Sequence, residues 1–392
     1  MNNFSYHNPT RIIFGKDTIG EVGHHTAQYA KKVLLHYGSG SIRKNGIYDT
    51  VVSSLKEHGI EFIELSGVVP NPRLSLVKKG IELCRKEEIT FILAVGGGSV
   101  IDSAKAIAFG SLLGDDEDIW DDYYMNKDCS VTRSLDVGVV LTIPAAGSES
   151  SISTVITNDT NDLKRAVNQE ALTPRFAIMD PQTNYTLPDY QSACGAADIL
   201  AHLMERYFTN AQYNNLSDAF LEAAMRNVIS FAPLALIDPS EYRYRAELMW
   251  TGTIAHNGLL DRGRMGDWAS HAIEHELSGV YDIAHGAGLA IIFPAWMKYV
   301  YHHDIDRFVQ WATRVWNISV SLDDKETVVL LAIRALEEFF RSLTLPIRLS
   351  DAGIGAQDIT RMAENLMKGS DGTGNFVHLG QKDVEQILRL AL

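Results

Sequence analysis

The sequence predicts an α/β domain followed by an all-helical domain. Up to about residue 182, short β-branched runs alternate with amphipathic stretches, which is typical of strand–helix–strand units around a largely parallel sheet. After Pro188 the strand-like runs stop, and long helical patterns with few chain breakers follow. A chain of 392 residues is also too long for one ordinary core. We therefore expect an α/β domain over residues 1–183, a helical domain over residues 184–392 and a cleft between them.

The first half contains the predicted strands and several predicted helices between them. The strands are Lys32–Tyr37, Phe62–Leu65, Phe91–Val95, Val137–Ile143 and Phe176–Met179, and the helices surround Tyr48–Glu57, Leu74–Glu87 and Val100–Leu113. In the second half, apolar residues recur at helical spacing from Val328 to Phe340, with Leu331 on the face expected to be buried, and Pro346 forces this helix to end. In a parallel sheet of this kind, ligands bind at the carboxyl ends of the strands.

The composition favours a globular protein with a large buried core and without nucleic-acid or membrane partners. The chain is 46% hydrophobic and 21% charged, and its net charge of −14 would repel nucleic acid and anionic lipid. Three dispersed cysteines form no CxxC pair, so we expect neither a disulfide framework nor a thiolate metal site. The N-terminus lacks a basic-then-apolar signal, and no apolar run approaches the ~20 residues that cross a bilayer. We expect a cytoplasmic protein.

A cluster of potential metal ligands lies in the second half. Asp198 and His202 are four residues apart, which places a carboxylate and an imidazole on one face of a helix. Three further histidines, His271, His275 and His285, follow in one later segment. Two of these imidazoles could complete a four-ligand site with mixed nitrogen and oxygen donors. Such a site suits a divalent transition metal.

The same segment allows a second interpretation, a zinc peptidase. Residues 271–275 read H-x-x-E-H, the inverted form of the zinc-peptidase motif. In that arrangement His271 and His275 would bind the metal, and Glu274 would be the general base. This interpretation leaves Asp198 and His202 without a function, so we rank it below the four-ligand site.

A glycine-rich turn follows the predicted strand Phe91–Val95. In Gly96-Gly97-Gly98-Ser99 the glycines allow a sharp turn and close approach of a ligand, and the helix that begins here offers free N–H groups to a pyrophosphate. The turn is less specific than a full GxGxxG fingerprint. It could equally be a simple strand-to-helix turn, with Ser99 as the helix cap and Asp102 as its capping-box partner.

A second turn follows Lys32–Tyr37 and reads Gly38-Ser39-Gly40-Ser41-Ile42-Arg43-Lys44. Dinucleotide enzymes that prefer NAD usually hold the adenosine ribose with an acidic residue. The turn has no acid but two hydroxyls and two cations, which suit a phosphate. We therefore predict that Gly38, Ser39 and Ser41 bind NADP(H) in preference to NAD(H), with Arg43 nearby. The alternative is a solvated loop with ordinary surface charges.

Longer motifs resemble the iron-dependent (group III) alcohol dehydrogenases, and within them the butanol dehydrogenase and aldehyde reductase branch. The motifs are A-V-G-G-G-S-x-I-D-x-A-K-A-I-A (Ala94–Ala108), T-I-P-A-x-G-S-E-x-S (Thr142–Ser151), D-P-x-x-x-Y-T-L-P (Asp180–Pro188), D-x-x-x-H (Asp198–His202), H-x-x-E-H-E-L-S-G-x-Y-D-I-x-H-G (His271–Gly286) and L-P-I-R-L-S-D-x-G-I (Leu345–Ile354). The resemblance covers essentially the whole chain. It implies a Rossmann-like, dinucleotide-binding α/β domain and an all-α domain in a dehydroquinate synthase-like architecture.

The resemblance also implies an activity and a set of site residues. The activity is metal-dependent hydride transfer between NADP(H) or NAD(H) and a primary alcohol or aldehyde such as butanol or butyraldehyde. The implied metal ligands are Asp198, His202, His271 and His285, with His275 as a catalytic residue beside the nicotinamide and substrate. The implied coenzyme contacts are Gly97, Gly98, Ser99, Asp102, Thr142, Ser148 and Lys164. One departure is Ala145-Ala146-Gly147-Ser148, where many members have threonines.

The resemblance also has implications for the identity of the metal and for the oligomeric state. The ligand types allow Fe²⁺, Zn²⁺, Ni²⁺ or Mn²⁺; the resemblance favours iron, with zinc possible. It also implies a homodimer in which an N-terminal strand near Arg11–Phe14 takes part. The main rival is a dehydroquinate synthase-like lyase, which would need several basic residues for an acidic substrate. The metal segment is instead acidic and apolar around Glu274, Glu276 and Asp282.

Overall fold

The computed structural model describes residues 1–126, 128–320 and 324–392. These residues form two units. The sheet unit comprises His7–Leu187 and Pro239–Asn257, and the helical unit comprises Met1–Tyr6, Pro188–Asp238 and Gly258–Leu392. The chain thus returns once to the sheet unit after Pro188. The ranges expected from the sequence, 1–183 and 184–392, stay predictions.

The strands are β1 Arg11–Phe14, β2 Lys32–Gly38, β3 Glu61–Val68, β4 Phe91–Gly96, β5 Asp136–Leu141, β6 Ser153–Asn158, β7 Leu163–Asn168 and β8 Phe176–Met179. Within the described residues, six of them form a parallel sheet in the order β1-β8-β5-β4-β2-β3. The predicted strands are all present, with ends shifted by a few residues. The hairpin of β6 and β7 was not predicted, because its strands mix buried apolar residues with many polar ones.

The helices are α1 Val22–Thr26, α2 Ser41–Lys44, α3 Ile47–Glu57, α4 Leu74–Lys86, α5 Gly98–Gly110, α6 Asp189–Tyr207, α7 Asn215–Ile237, α8 Tyr242–His256, α9 Ala269–Tyr281, α10 His285–Val300, α11 Ile305–Trp316, α12 Lys325–Ser342, α13 Ile359–Met367 and α14 Gln381–Leu390. Helices α1 to α5 and α8 belong to the sheet unit, and the others belong to the helical unit. The predicted combination of an α/β part and an all-helical part is confirmed.

Helices cover both faces of the parallel sheet. Successive side chains of a strand point to opposite faces, and Leu34 and Ile92 pack into one apolar cluster with residues of α4 and α5. Leu35 and Leu93 pack into a second cluster with residues of α1 and α3. This two-sided burial explains why β2 and β4 are nearly continuous apolar runs.

The strand order reverses between β2 and β4. From β2 the chain passes to β3 on one side, and it then returns to β4 on the other side of β2. A reversal of this kind leaves a crevice at the carboxyl ends of the two neighbouring strands, where open α/β sheets bind ligands. Both glycine turns identified in the sequence, Gly38–Ser41 and Gly96–Ser99, follow these strands.

Two details of the helices differ from the sequence predictions. Helix α12 buries Ile333, whereas Leu331, which was predicted to be buried, is exposed. The helix ends at Ser342, and Thr344 has a φ of 61°, so the chain leaves the helix before Pro346. The residue before a proline disfavours helical geometry, which agrees with an end shortly upstream.

Helix α7 is long and apolar enough to cross a membrane when judged by length and composition only. The expectation that no run approaches this length is therefore wrong for α7. Only 33% of the most apolar 18-residue stretch of this helix is buried. Its two acidic residues have partners inside the helical unit: Asp218 accepts hydrogen bonds from Arg264 and Arg307, and Glu222 accepts one from Tyr207. One helix of this kind is weak support for a membrane span.

The buried imidazole of His36 predicts a pH-dependent stability. His36 on β2 is fully buried between the Leu65 carbonyl, 2.8 Å from Nδ1, and the Ser103 hydroxyl, 2.9 Å from Nε2. Burial lowers the pKa of His36 to about 4. At this position the unfolded chain has a histidine pKa of about 6.5. Between pH 6.5 and pH 4 it therefore binds more protons than the folded protein does. Between pH 6.5 and pH 4, the contribution of His36 to the free energy of unfolding therefore falls as the pH falls, by about 3 kcal/mol in total.

Urea unfolding at pH 7 and near pH 4.5 would test this dependence. We expect His36→Gln to be less stable than the parent at pH 7 but to lose less stability on acidification. The same change at His7, which is exposed, should leave the pH dependence as in the parent. Parallel pH curves for the parent and His36→Gln would contradict the prediction.

Candidate functional site

Three polar side chains lie on one face of the buried helix α6. Asp198, His202 and Glu205 follow one another at spacings of four and three residues, which keeps them on one stripe. Asp198 and His202 are each 4% exposed, and Glu205 is fully buried. Burying charged or ionisable groups is costly unless they are paired or bind an ion. The stripe therefore indicates a site rather than ordinary core packing.

Helices α9 and α10 bring two more imidazoles to Asp198. His271 Nε2, from α9, lies 4.0 Å from Asp198 Oδ1. His285 Nε2, from the first residue of α10, lies 3.9 Å from the same oxygen, and His202 Nδ1 lies 2.9 Å from it. The four side chains that the resemblance implies as ligands are thus neighbours within the helical unit.

The approach of α10 to α6 depends on a glycine. A Cβ atom added to Gly286 would lie 1.9 Å from the backbone oxygen of Cys194 on α6. A second glycine, Gly288, leaves room for the side chain of Glu274, since its Cβ would lie 2.5 Å from Glu274 Oε1. These contacts place His285, directly before Gly286, at the surface of α6.

Buried carboxylates orient two of the imidazoles. Glu205 Oε1 lies 2.8 Å from His271 Nδ1, and Glu274 Oε2 contacts His285 Nδ1. A neutral imidazole that donates from Nδ1 presents the lone pair of Nε2, which is the usual arrangement behind a metal-binding histidine. Both Nε2 atoms lie on the side of Asp198. For His202, Nδ1 instead lies 2.9 Å from its own helix carbonyl at Asp198.

The residues fit a bound cation. Among the described residues, His271 Nε2 is buried without a hydrogen-bond partner, and an ion between this atom and Asp198 Oδ1 would supply one. Two donor atoms that are each about 2.1 Å from one tetrahedral ion are about 3.4 Å apart, so the measured 3.9 and 4.0 Å are slightly wider than the spacing around a bound ion. Burial and the nearby imidazoles hold the pKa of His271 well below its usual value, so the ring is neutral as metal binding requires.

His275 lies one turn after His271 on α9 and is half-buried. Its ring centroid is 5.5 Å from that of His285, and Glu274, His275 and His285 carry possible ligand atoms within 4.8 Å of one another. Glu274 is fully buried and contacts His285 and Ser278. These contacts occupy both its oxygens, which argues against the peptidase interpretation that made Glu274 a general base.

The glycine turn after β4 is shaped by a neighbouring loop. A Cβ on Gly97 would lie 2.9 Å from the Ile143 side chain, and one on Gly98 would lie 3.3 Å from Ala146. Helix α5 has Gly97 as its N-cap and no side-chain cap, so the alternative with Ser99 as the cap is wrong. Among the described residues, the amides of Gly98 and Ser99 donate to no partner, which leaves them available to an anion.

The remaining predicted coenzyme residues lie near this turn or on the hairpin. Thr142 donates its amide to Gly96. Asp102 accepts hydrogen bonds from Ser148 Oγ at 2.5 Å and from the Val155 amide at 3.0 Å, so its carboxylate holds the loop that carries Ser148. Lys164 Nζ donates to Asn71 Oδ1 at 3.0 Å, and both side chains are buried. Asn71 was not identified from the sequence.

The turn after β2 has an acidic neighbour that the sequence argument missed. Gly40 has a φ of 127°, which favours glycine, and Ser39 and Ser41 are exposed. Arg43 Nη2 lies 2.5 Å from Glu64 Oε2 on β3. No acid lies within residues 38–44 themselves, and Glu64 reaches this turn through the pairing of β3 with β2.

The chain is similar to known proteins over its whole length. Residues 9–181 match the family described as iron-containing alcohol dehydrogenase, and residues 192–392 match the C-terminal part of the Fe-containing alcohol dehydrogenase family. The chain is 43% identical to a probable NADH-dependent butanol dehydrogenase 2 of Bacillus subtilis, with 100% of both chains covered. It is 37% identical to the NADPH-dependent aldehyde reductase YqhD of Escherichia coli, with 93% of each covered.

A solved structure shares the same fold. The crystal structure of NADH-dependent butanol dehydrogenase A from Thermotoga maritima matches with a TM-score of 0.94 and 42% identity, covering 100% of this chain and 99% of the other. The predicted fold class and the predicted oxidoreductase class are confirmed. Matches of this length and identity show that the chain belongs to the iron-containing alcohol dehydrogenase family.

Proposed function

We propose that this chain is a metal-dependent aldehyde reductase and alcohol dehydrogenase that acts on primary alcohols and aldehydes such as butanol and butyraldehyde. The observation that carries the proposal is the convergence of Asp198, His202, His271 and His285 at one buried point. Relatives named as butanol dehydrogenases and as an aldehyde reductase support the substrate class.

The four converging residues would hold the metal, with iron favoured and zinc as the alternative. A divalent ion at this position would act as a Lewis acid on the oxygen of the substrate. Asp198 contributes one negative charge and neutral imidazoles contribute none, so a divalent ion together with these four ligands would carry a net positive charge. Glu205 and Glu274 keep Nε2 of His271 and His285 directed at the cluster. Their role is to orient ligands rather than to react.

His275 is the proposed catalytic residue. It lies on the same helix as His271 and close to His285, and it is more exposed than His271. Its imidazole could hold or pass on a proton at the substrate oxygen. The alternative is that His275 only orients its neighbours.

We propose NADP(H) as the favoured coenzyme, bound at the carboxyl edge of the sheet. When bound, the nicotinamide supplies or accepts the hydride. The free amides of Gly98 and Ser99 would bind the pyrophosphate, and Gly38, Ser39 and Ser41 would bind the adenosine end together with Arg43. Both hydrogen bonds that Arg43 donates to Tyr37 and Glu64 come from Nη2, and its side chain is 47% exposed. Part of the guanidinium is therefore accessible from solvent, where a 2′-phosphate could reach it.

We also propose a cytoplasmic homodimer. Support for the dimer is the position of β1 (Arg11–Phe14) at the edge of the parallel sheet, where unpaired backbone groups can pair with another chain. The acidic net charge supports the absence of nucleic-acid partners.

One assay tests the proposed activity and its coenzyme. Oxidation of NADPH should depend on butyraldehyde, stop after chelation and return on adding Fe²⁺ or Zn²⁺. The value of kcat/KM should be higher with NADPH than with NADH. Equal values of kcat/KM with NADPH and NADH would contradict the proposed coenzyme preference. Activity that survives complete chelation would contradict the proposed metal dependence. A dehydroquinate synthase-like lyase would not consume NADPH in proportion to the aldehyde.

A further inference from the structure

Four side chains form a closed polar cluster beside the turn that follows β2. Arg43 Nη2 donates to Glu64 Oε2 at 2.5 Å and to Tyr37 Oη at 2.6 Å. Tyr48 Oη donates to Glu64 Oε1 at 2.7 Å, and Tyr37 Oη donates to Glu64 Oε2. The guanidinium also stacks on the Tyr48 ring, 3.7 Å from its centroid. Glu64 is therefore held by three partners, and its carboxylate lies in contact with the Arg43 guanidinium.

Glu64 is a fixed negative charge at this turn. Partial burial acts to raise the pKa of Glu64, but the hydrogen bonds from Tyr37, Tyr48 and Arg43 outweigh burial, and the pKa is lowered. The carboxylate is ionised at neutral pH and compensates the charge of Arg43 at contact distance. Arg43 is the cation that the coenzyme proposal assigns to the 2′-phosphate, so its attraction for that dianion is reduced.

We propose that Glu64 is a specificity-determining residue that limits the preference of this chain for NADP(H) over NAD(H). The proposal rests on the proposed coenzyme site at the turn Gly38–Ser41. An acidic residue near the adenosine ribose is the usual device by which dinucleotide enzymes disfavour a 2′-phosphate. Here β3 supplies that acid, instead of the turn itself.

Glu64 could act in the opposite direction, by orienting Arg43 towards the phosphate. The two effects differ in size. An exposed ion pair contributes little to holding its partner in place, and stacking on Tyr48 would still orient the guanidinium without the carboxylate. Removing a full negative charge close to a dianion changes the affinity for that dianion directly. The repulsive effect should therefore dominate.

The test compares Glu64→Gln with the parent chain, using two ligands that differ only by the 2′-phosphate. Calorimetry on the full chain without coenzyme would measure the affinities of AMP and of adenosine 2′,5′-bisphosphate. Glutamine keeps the shape of the side chain and one hydrogen-bond acceptor. We expect the preference for the bisphosphate to rise by about threefold to fivefold. This gain should shrink at about 0.5 M salt, because charge effects are screened there.

Glu61→Gln is the matched control. Glu61 lies at the start of β3 and is exposed. Its substitution by glutamine removes the same charge from the same strand. The preference should not change in this variant. An unchanged or lower preference in Glu64→Gln, or an equal rise in Glu61→Gln, would overturn the proposal.

The test separates this proposal from the coenzyme proposal. If the parent bound AMP and the bisphosphate equally, the NADP(H) preference would be lost. A rise in Glu64→Gln would still support the role of Glu64.

Discussion

Replacing His271 with alanine should remove both bound metal and turnover, while the sheet unit still binds the coenzyme. His271 is buried at the centre of the ligand cluster, and its Nε2 has no other partner among the described residues. Loss of a residue that only orients a ligand lowers metal affinity by about 10- to 100-fold. Loss of a ligand itself should exceed this range. The predicted coenzyme residues all belong to the sheet unit, so NADPH binding should not require His271.

Three measurements on His271→Ala check this expectation. Metal content after desalting and butyraldehyde-dependent NADPH oxidation should both fall to background. NADPH binding, followed by fluorescence, should stay within about threefold of the parent, well under one tenfold step. His7→Ala serves as a control, since His7 is exposed and lies outside the cluster. Full activity of His271→Ala after chelation would show that the site has been assigned to the wrong residues.

Changing Gly286 to alanine should destabilise the helical unit and weaken metal retention. The new Cβ would lie 1.9 Å from the Cys194 backbone oxygen and 2.6 Å from its carbonyl carbon. Backbone atoms on both sides of this contact prevent a small local adjustment, so α10 would have to move away from α6. His285 would move with it. We expect a loss of about 3 kcal/mol in the free energy of unfolding, which is within the range of severe steric substitutions.

Gly20→Ala is the matched control for this substitution. Among the described residues, apart from its own chain neighbours, no heavy atom lies within 4 Å of a Cβ at Gly20, and its φ is not in the left-handed region. Thermal unfolding and metal content should be nearly unchanged in Gly20→Ala, whereas both should fall in Gly286→Ala. A Gly286→Ala protein with the stability and metal content of the parent would show that α10 can shift freely against α6.

The sequence was sufficient for those features that depend on local periodicity. Alternating strand and helix patterns predicted the parallel sheet and most of its strands, because burial on both faces requires apolar runs such as Phe91–Val95. The four-residue spacing of Asp198 and His202 placed them on one helical face, since a helix repeats every 3.6 residues. The β6–β7 hairpin lacked such a pattern and was missed.

Contacts between distant segments were decided only by the tertiary structure. Residue spacing alone left open which later histidines join Asp198; helix packing, permitted by Gly286, sets His271 and His285 at 4.0 and 3.9 Å from it. Glu205 could have been suspected from its position seven residues after Asp198, but its contact with His271 depends on the packing of α9. Glu64 is not recognisable from sequence spacing, because pairing of β3 with β2 brings it to Arg43. Periodicity records which face of an element is buried, whereas the partners that meet there are set by how the elements pack.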